Sequence, residues 1–128
     1  MAERNLVLVV DDDPVVVHLI EKILERASFR VASVPAGTAA LNLLREHPDE
    51  VALVFVDLAM PGITGVELAR EMKATPALTD IPLVAVTANF GPELYDELVA
   101  AGIEEVIEKP FRSEQLIDVL QRHGVQVE

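Results

Sequence analysis

Residues 51–56 read VALVFV, six apolar residues in a row, and Asp57 follows them directly. A continuous apolar run of this length, rich in β-branched residues, predicts a β-strand that is buried on both faces. Burial on both faces is typical of a parallel sheet that helices cover on either side. We therefore expect a sheet built around this segment, with an acidic side chain at the end of the strand.

Four further strand-length segments are spaced along the chain, and a stretch of amphipathic helical pattern follows each strand. The strand candidates are residues 6–10, 31–34, 51–56, 83–86 and 106–107. This alternation predicts an α/β fold, a doubly wound five-stranded parallel sheet flanked by five helices. Because Val106 and Ile107 form a short apolar pair between Glu105 and Glu108, we expect the fifth strand at an exposed edge.

Capping residues mark where the helices begin. Asp13 and Pro14 have the types expected at the N-cap and first position of helix 1, and Thr64 with Glu67 predicts a capping box before helix 3. Helix 2 follows residue 38, helix 4 runs from about residue 92 to Gly102, and helix 5 spans 113–124. The residues expected on the buried helix faces are Val16, Ile20, Ile23 and Ala27; Leu41 and Leu44; Leu68 and Met72; Leu94, Leu98 and Ala101; and Leu116, Ile117 and Leu120.

The composition excludes several classes of protein. A chain of 128 residues with 51% hydrophobic residues predicts one domain, residues 1–128, with a core of its own. The absence of cysteine excludes disulfides, thiolate nucleophiles and zinc-thiolate sites. The net charge of −12 disfavours nucleic acid and anionic lipid as partners. With no signal-peptide pattern and no apolar run long enough for a bilayer, we expect no membrane association and a cytoplasmic location.

Polar residues follow four of the five predicted strands. Asp11 and Asp12 come after the first strand, Asp57 after the third, Thr87 after the fourth and Lys109 after the fifth. In a parallel sheet these strand ends meet at one edge, where ligands bind. Carboxylates so close together repel one another and favour a bound cation. Hard oxygen ligands without histidine or cysteine indicate Mg²⁺, which predicts phosphate chemistry.

Four motifs together resemble one known family. Residues 9–12 (VVDD), 56–62 (VDLAMPG), 86–88 (VTA) and 109–111 (KPF) look like the receiver domain of two-component response regulators, as in chemotaxis receivers. The motif order and the intervening lengths agree along essentially the whole chain. The resemblance implies a flavodoxin-like sheet with strand order 2-1-3-4-5 and a cis peptide bond between Lys109 and Pro110.

The resemblance also implies a role for each site residue. Asp57 would be the phosphoacceptor and, with Asp11, Asp12 and the backbone carbonyl of Ala59, would form the Mg²⁺ site. In that site Asp12 would bind the ion directly and Asp11 mostly through water. Lys109 and Thr87 would contact the phosphoryl oxygens.

The implied function is that of a signalling module which modifies itself, not that of an enzyme with a separate substrate. Its partners would be a sensor histidine kinase or a histidine phosphotransfer protein, and an unidentified downstream protein. Switching would change the surface formed by helix 4, strand 5 and helix 5.

One position departs from the family pattern. Much of the family has Tyr or Phe on strand 5, where this chain has Val106. In the family this aromatic ring fills the space that the Thr87 hydroxyl leaves when it moves toward the phosphoryl group. We therefore expect a smaller surface change here, or one that runs through Phe90 and the entrance of helix 4.

Two other functions fit parts of the sequence. Residues 11–15 (DDDPV) satisfy the DxDxV pattern of haloacid-dehalogenase-type phosphatases, in which Asp11 would be the nucleophile and Asp13 the general acid. The short chain, the absence of an acidic metal-binding pair after the fourth strand, and Asp57, which that class leaves unexplained, argue against it. A binding module that works without phosphorylation is the other alternative, since fold does not fix function.

The C-terminal third of the chain is strongly acidic. From Glu93 to Glu128 there are nine acidic residues against Lys109, Arg112 and Arg122. A solvated face explains this bias, and so does a docking surface for a basic partner.

Overall fold

The sheet has the predicted number, direction and order of strands. The computed structural model describes residues 4–88 and 90–128. Its strands are β1 (Leu6–Val10), β2 (Arg30–Val34), β3 (Val51–Val56), β4 (Leu83–Thr87) and β5 (Ile103–Glu108). All neighbouring pairs are parallel, in the order β2-β1-β3-β4-β5. This confirms the α/β fold and the strand order that the resemblance implied.

Five helices cover the two faces of the sheet. They are α1 (Pro14–Arg26), α2 (Gly37–Glu46), α3 (Gly65–Lys73), α4 (Tyr95–Ala101) and α5 (Ser113–Arg122), with short 3-10 turns at Pro76–Leu78 and Pro92–Leu94. Buried residues of α1 and α5 share one core cluster, and those of α2, α3 and α4 share the other. In the part of the chain that the structure describes, no helix is long and apolar enough to cross a membrane.

The apolar runs occupy the interior of the sheet, as their composition predicts. Every residue of β1 and β4, and all but one residue of β3, is buried. Alternate residues of β1 enter opposite clusters, with Val7 and Val9 on the α1/α5 side and Leu8 on the other. The three strands form a rigid platform because both faces of each are packed.

The edge strand is longer than predicted. We expected only residues 106–107, but β5 spans Ile103–Glu108 and pairs with β4 along its length. Glu104 and Glu108 are exposed while Ile103 and Ile107 are buried. The acidic residues are therefore compatible with a strand because an edge strand has solvent beside it. Because these charged residues interrupt the apolar pattern, the sequence predicted only residues 106–107 as a strand.

Two helices differ from the predicted ones in detail. In α1 the fully buried residues are Ile20 and Leu24, whereas Ile23 is only half-buried. In the fourth helix, Pro92 begins a 3-10 turn and the α-helix starts only at Tyr95. Gly102 ends α4 with φ of 98°, a conformation that favours glycine, as the stop signal predicted.

The capping box at the start of α3 forms as the sequence predicts. The Thr64 hydroxyl accepts a hydrogen bond from the Glu67 backbone N–H at 3.2 Å, and the Glu67 carboxylate accepts one from the Thr64 N–H at 3.1 Å. These hydrogen bonds lower the pKa of Glu67. They fix the start of α3 immediately after the loop that follows β3.

We predict that Thr64→Ala lowers the free energy of unfolding by about 1 kcal/mol, because a backbone N–H of α3 loses its acceptor. Urea denaturation followed by circular dichroism measures this change. Thr38→Ala, at an exposed position of α2, serves as the control and should leave the stability nearly unchanged. Equal losses in the two variants would contradict the structural role of the capping box.

Candidate functional site

The backbone brings the predicted site residues to one edge of the sheet. The N–H of Asp11 donates to the Val34 carbonyl at 3.2 Å, and the N–H of Asp57 donates to the Val10 carbonyl at 2.9 Å. On the other side, the N–H of Lys109 donates to the Thr87 carbonyl at 2.9 Å. Each residue thus extends a strand ladder by one step, and this fixes where its side chain begins.

Three carboxylates meet at this edge. Asp11, Asp12 and Asp57 each present an oxygen within 4.8 Å of the other two. Asp11 is buried, Asp57 is half-buried and Asp12 is exposed, so the cluster opens to solvent on one side. Among the residues described, this is the only such group of potential metal ligands. Its donors are all oxygen atoms, the type that Mg²⁺ prefers, so the residues present fit that ion.

Lys109 supplies a positive charge inside the cluster. Its Nζ donates to Asp11 Oδ2 at 3.0 Å and to Asp57 Oδ2 at 3.3 Å. Burial by itself lowers the pKa of Lys109, but the hydrogen bonds and charges of the two aspartates outweigh it and raise the pKa. Lys109 is therefore charged at neutral pH. The stability that comes from this raised pKa is fully present there and is lost only at alkaline pH.

Backbone N–H groups hold the other oxygens of the same two aspartates. Asp11 Oδ1 accepts from the Asp13 N–H at 2.9 Å, and Asp57 Oδ1 accepts from the Ala59 N–H at 3.2 Å. Each carboxylate is thus held by a backbone group on one oxygen and by Lys109 on the other. Their orientation is set before any ligand arrives.

Asp13 lies outside the acidic cluster. Its side chain accepts from the Val15 N–H at 2.9 Å and forms the N-cap of α1. This is the capping role that the sequence suggested for Asp13. The geometry therefore favours the capping interpretation over the DxDxV pattern, which requires Asp13 as a general acid beside Asp11.

The two predicted switch positions lie on neighbouring strands. Thr87 is the last residue of β4 and is completely buried. Val106 is half-buried on β5, pairs in register with Ala85, and packs against the cluster of α2, α3 and α4. Lys109 and Pro110 are joined by a cis peptide bond, as the resemblance implied. Asn89, two residues after Thr87, lies outside the described residues.

Gly65 is a site residue that sequence reasoning missed. A Cβ atom at this first position of α3 would lie 2.7 Å from the Asp57 carbonyl oxygen and 3.0 Å from Leu58 Cα. Both are backbone atoms, so they could not move without displacing Asp57. The glycine in the capping-box sequence at 64–67 was the available signal, but nothing in the sequence shows how close the backbones come.

Comparisons of the sequence with known proteins point to the same family that the sequence motifs resemble. The family model described as the response regulator receiver domain matches residues 7–121. A two-component response regulator of rice, ORR11, is 34% identical over 116 residues, which cover 91% of this chain and 78% of that protein. The peroxide stress-activated histidine kinase mak3 of Schizosaccharomyces pombe is 31% identical, but this chain spans only 5% of its length.

Solved structures of receiver domains have the same fold. The chemotaxis protein CheY4 of Vibrio cholerae superimposes with a TM-score of 0.86 and 27% identity, over 98% of this chain and 100% of that chain. The receiver domain of the sensor histidine kinase PA1611 of Pseudomonas aeruginosa has a TM-score of 0.80 and 28% identity, over 93% and 96% of the chains. That structure contains a magnesium ion coordinated in the active site cleft.

Sequence and structure lead to the same assignment. Receiver domains bind Mg²⁺ at an acidic pocket, and this chain has an aspartate cluster at one edge of its sheet. Its relatives include both response regulators and histidine kinases. The chain belongs to the family of response regulator receiver domains of two-component systems.

Proposed function

We propose that residues 1–128 form a receiver domain that accepts a phosphoryl group on Asp57 from a phosphohistidine of a sensor histidine kinase or a histidine phosphotransfer protein. One observation carries this proposal. The Asp57 carboxylate belongs to the acidic cluster and also receives a hydrogen bond from Lys109 Nζ at 3.3 Å. A nucleophilic oxygen, a candidate cation site and a fixed ammonium thus lie around one half-buried side chain.

The transfer exchanges one bond to phosphorus for another. A carboxylate oxygen of Asp57 attacks the phosphorus and forms a P–O bond, which gives an acyl phosphate. The P–N bond to the donor histidine breaks, and the imidazole nitrogen keeps the electron pair and takes a proton from water. Later attack by water breaks the new P–O bond and releases inorganic phosphate, which restores the carboxylate.

The neighbouring side chains favour this step by their charge. Lys109 would move its ammonium from the aspartate oxygens to a phosphoryl oxygen, and Thr87 would donate a hydrogen bond to another. Asp11, Asp12, Asp57 and the Ala59 carbonyl would hold Mg²⁺. When bound, the ion supplies positive charge beside the transferring group. The backbone hydrogen bonds to Asp11 and Asp57 keep these groups oriented throughout.

We propose that phosphorylation alters the surface formed by α4, β5 and α5. Thr87 ends β4, and Phe90 follows it at the approach to the 3-10 turn Pro92–Leu94. Movement of the Thr87 hydroxyl would therefore change the entrance of α4. Because Val106 offers no ring to follow that movement, Phe90 and the start of α4 would carry the change.

The module would act by its own modification instead of turning over a separate substrate. The family membership supports a signalling role, and a cytoplasmic location remains a prediction from the sequence. A phosphatase mechanism based on Asp11 has less support. Asp13, its required acid, caps α1, and only 3% of the Asp11 side chain is exposed.

We predict that Asp57→Asn abolishes phosphorylation by acetyl phosphate in the presence of Mg²⁺, because an amide is a far weaker nucleophile than a carboxylate. Intact-protein mass spectrometry detects the added phosphoryl group on the wild type. Asp49→Asn, an exposed position in the turn before β3, is the matched control and should be labelled like the wild type.

Two other results would overturn this assignment. Catalytic release of phosphate from ester substrates that survives Asp57→Asn but not Asp11→Asn would identify a phosphatase. A wild-type protein that takes no label from acetyl phosphate or from a phosphorylated histidine phosphotransfer protein would be a binding module without phosphorylation.

We predict that Mg²⁺ raises the melting temperature of the wild type, because the ion binds the folded acidic cluster and not the unfolded chain. At a free Mg²⁺ concentration 100 times the dissociation constant, such binding stabilises the folded protein by about 2.7 kcal/mol. Asp12→Asn should lose most of this effect, whereas Asp80→Asn, at an exposed position just before β4, should retain it. An equal Mg²⁺ effect in Asp12→Asn and the wild type would exclude Asp12 as a ligand.

We predict that Gly65→Ala slows phosphorylation of Asp57 by about tenfold, a change of about 1.4 kcal/mol in the barrier, because the added methyl group displaces the backbone of the acceptor. Gly102→Ala is the control for stability. It forces alanine into a φ of 98° at the end of α4 and costs about 1 kcal/mol or more.

The rate of labelling and the urea midpoint are measured for both glycine variants. Gly102→Ala should lower the midpoint yet keep the wild-type rate at temperatures where it is folded. If Gly65→Ala kept the wild-type rate, or if the two variants lost rate in proportion to stability, Gly65 would have no positioning role.

A further inference from the structure

The β2–α2 connection, residues 34–37, carries no charged or nucleophilic side chain, yet it touches the acidic site. The carbonyl of Val34, at the end of β2, accepts a hydrogen bond from the Asp11 N–H at 3.2 Å. Three residues later, Gly37 begins α2 and is buried. The two ends of this short connection therefore have different neighbours, and the second of them is the loop that follows β3.

Gly37 lies against Ile63, in the loop between β3 and α3. A Cβ atom at position 37 would lie 2.9 Å from Ile63 Cβ, 3.0 Å from Ile63 Cγ2 and 3.1 Å from the Ile63 carbonyl oxygen. The Cβ and the carbonyl oxygen are fixed to the backbone, so a change of rotamer at Ile63 cannot relieve this approach. Any side chain at position 37 therefore requires the loop or the helix to move.

The backbone conformation does not explain why this position is glycine. Gly37 is the first residue of α2, and it is not among the glycines with positive φ in the part of the chain that the structure describes. Alanine is the better helix former at such a position, because glycine loses more backbone entropy on folding. The closeness of Ile63 is thus the reason that the structure offers for a glycine here.

The loop gives way more easily than α2. The helix is anchored by Ala40, Leu41 and Leu44, which are buried in the core. Ile63 is only half-buried, and a Cβ added to the neighbouring Gly62 would meet no atom within 4 Å. The loop has open space on that side, so a methyl group at position 37 would displace Ile63.

Ile63 is tied to the acceptor through the start of α3. Two residues after it, the Gly65 N–H donates a hydrogen bond to the Leu58 carbonyl at 3.2 Å. Leu58 lies between Asp57 and Ala59 in the chain, and the Ala59 N–H holds Asp57 Oδ1 at 3.2 Å. A displacement of Ile63 would therefore reach the backbone that carries the acceptor carboxylate.

We propose that Gly37 is a positioning residue for phosphoryl transfer to Asp57, acting through Ile63. The inference rests on the proposed function, because a positioning role requires a reaction to serve. The β2–α2 connection then contacts both halves of the acidic cluster. Val34 holds the backbone of Asp11, and Gly37 leaves room for the loop that follows Asp57.

The test compares Gly37→Ala with Thr38→Ala, at the next and exposed position of α2. The Mg²⁺ dissociation constant is measured on the full ¹⁵N-labelled chain by amide chemical shifts, and the rate of labelling by acetyl phosphate by intact-protein mass spectrometry. We expect Gly37→Ala to weaken Mg²⁺ binding and to slow labelling, each by about tenfold, because small misplacements of reacting groups cost rate. Thr38→Ala should match the wild type in both measurements.

A second background tests whether the effect passes through Ile63. Ile63→Gly removes both carbon atoms that approach position 37. Between Ile63→Gly and the double variant with Gly37→Ala, we expect the Mg²⁺ affinity and the labelling rate to differ by less than about twofold. Ile63→Gly alone should also slow labelling, because the loop loses its contact with α2. This measurement tests the positioning role even if Gly37→Ala alone does not fold.

Three results would overturn the proposal. One is a folded Gly37→Ala with the Mg²⁺ affinity and labelling rate of the wild type. Another is a tenfold loss that persists in the Ile63→Gly background, and the third is an Ile63→Gly protein that is labelled at the wild-type rate. A failure of the proposed function is distinguishable from these, because it appears as a wild type that takes no label, whereas a failure of this inference appears only in the variants.

Discussion

The ammonium of Lys109 offsets the repulsion between the Asp11 and Asp57 carboxylates at one edge of the sheet. It lies 3.0 Å from an oxygen of Asp11 and 3.3 Å from an oxygen of Asp57. These residues are 98 and 52 positions away from it in the chain. The parallel pairing of β1 with β3 brings the two carboxylates together, and β5, which ends at the same edge, brings the lysine. The site thus depends on the sheet, and the charges that the sheet brings together must then be balanced within the site.

Three carboxylates that lie this close together are costly to the protein unless positive charge offsets their repulsion. Two of the three are largely removed from solvent, since only 3% of the Asp11 side chain and 12% of the Asp57 side chain are exposed. One lysine offsets part of this charge, and the Asp13 and Ala59 N–H groups offset part of the rest. The cluster still keeps a net negative charge, which favours a divalent ion. The same residual charge makes the site sensitive to what binds there, and this is the property that a phosphorylation switch requires.

The face between α4 and β5 differs in character from the site edge. At the site, charges are paired at close range and most side chains are held by hydrogen bonds. On this face, apolar side chains are exposed next to acidic residues of α4, and the ion pairs within the described residues lie mainly between Glu105 and the end of α5. Thr87, which ends β4 at the site edge, and Phe90, before the 3-10 turn Pro92–Leu94, are three positions apart in the chain.

The sequence by itself determined the class of fold, the positions of the interior strands and which acidic and basic residues meet at one edge of the sheet. It could do so because buried parallel strands need uninterrupted apolar runs, and because the residue after each run must lie at the same edge. The strand order and the roles of the site residues came from the resemblance to receiver domains. The tertiary structure decided the full length of β5, the burial of Leu24 and the closeness of Gly65 to the backbone of Asp57. Each of these depends on which surfaces face one another after packing, and neither periodicity nor motif spacing records that.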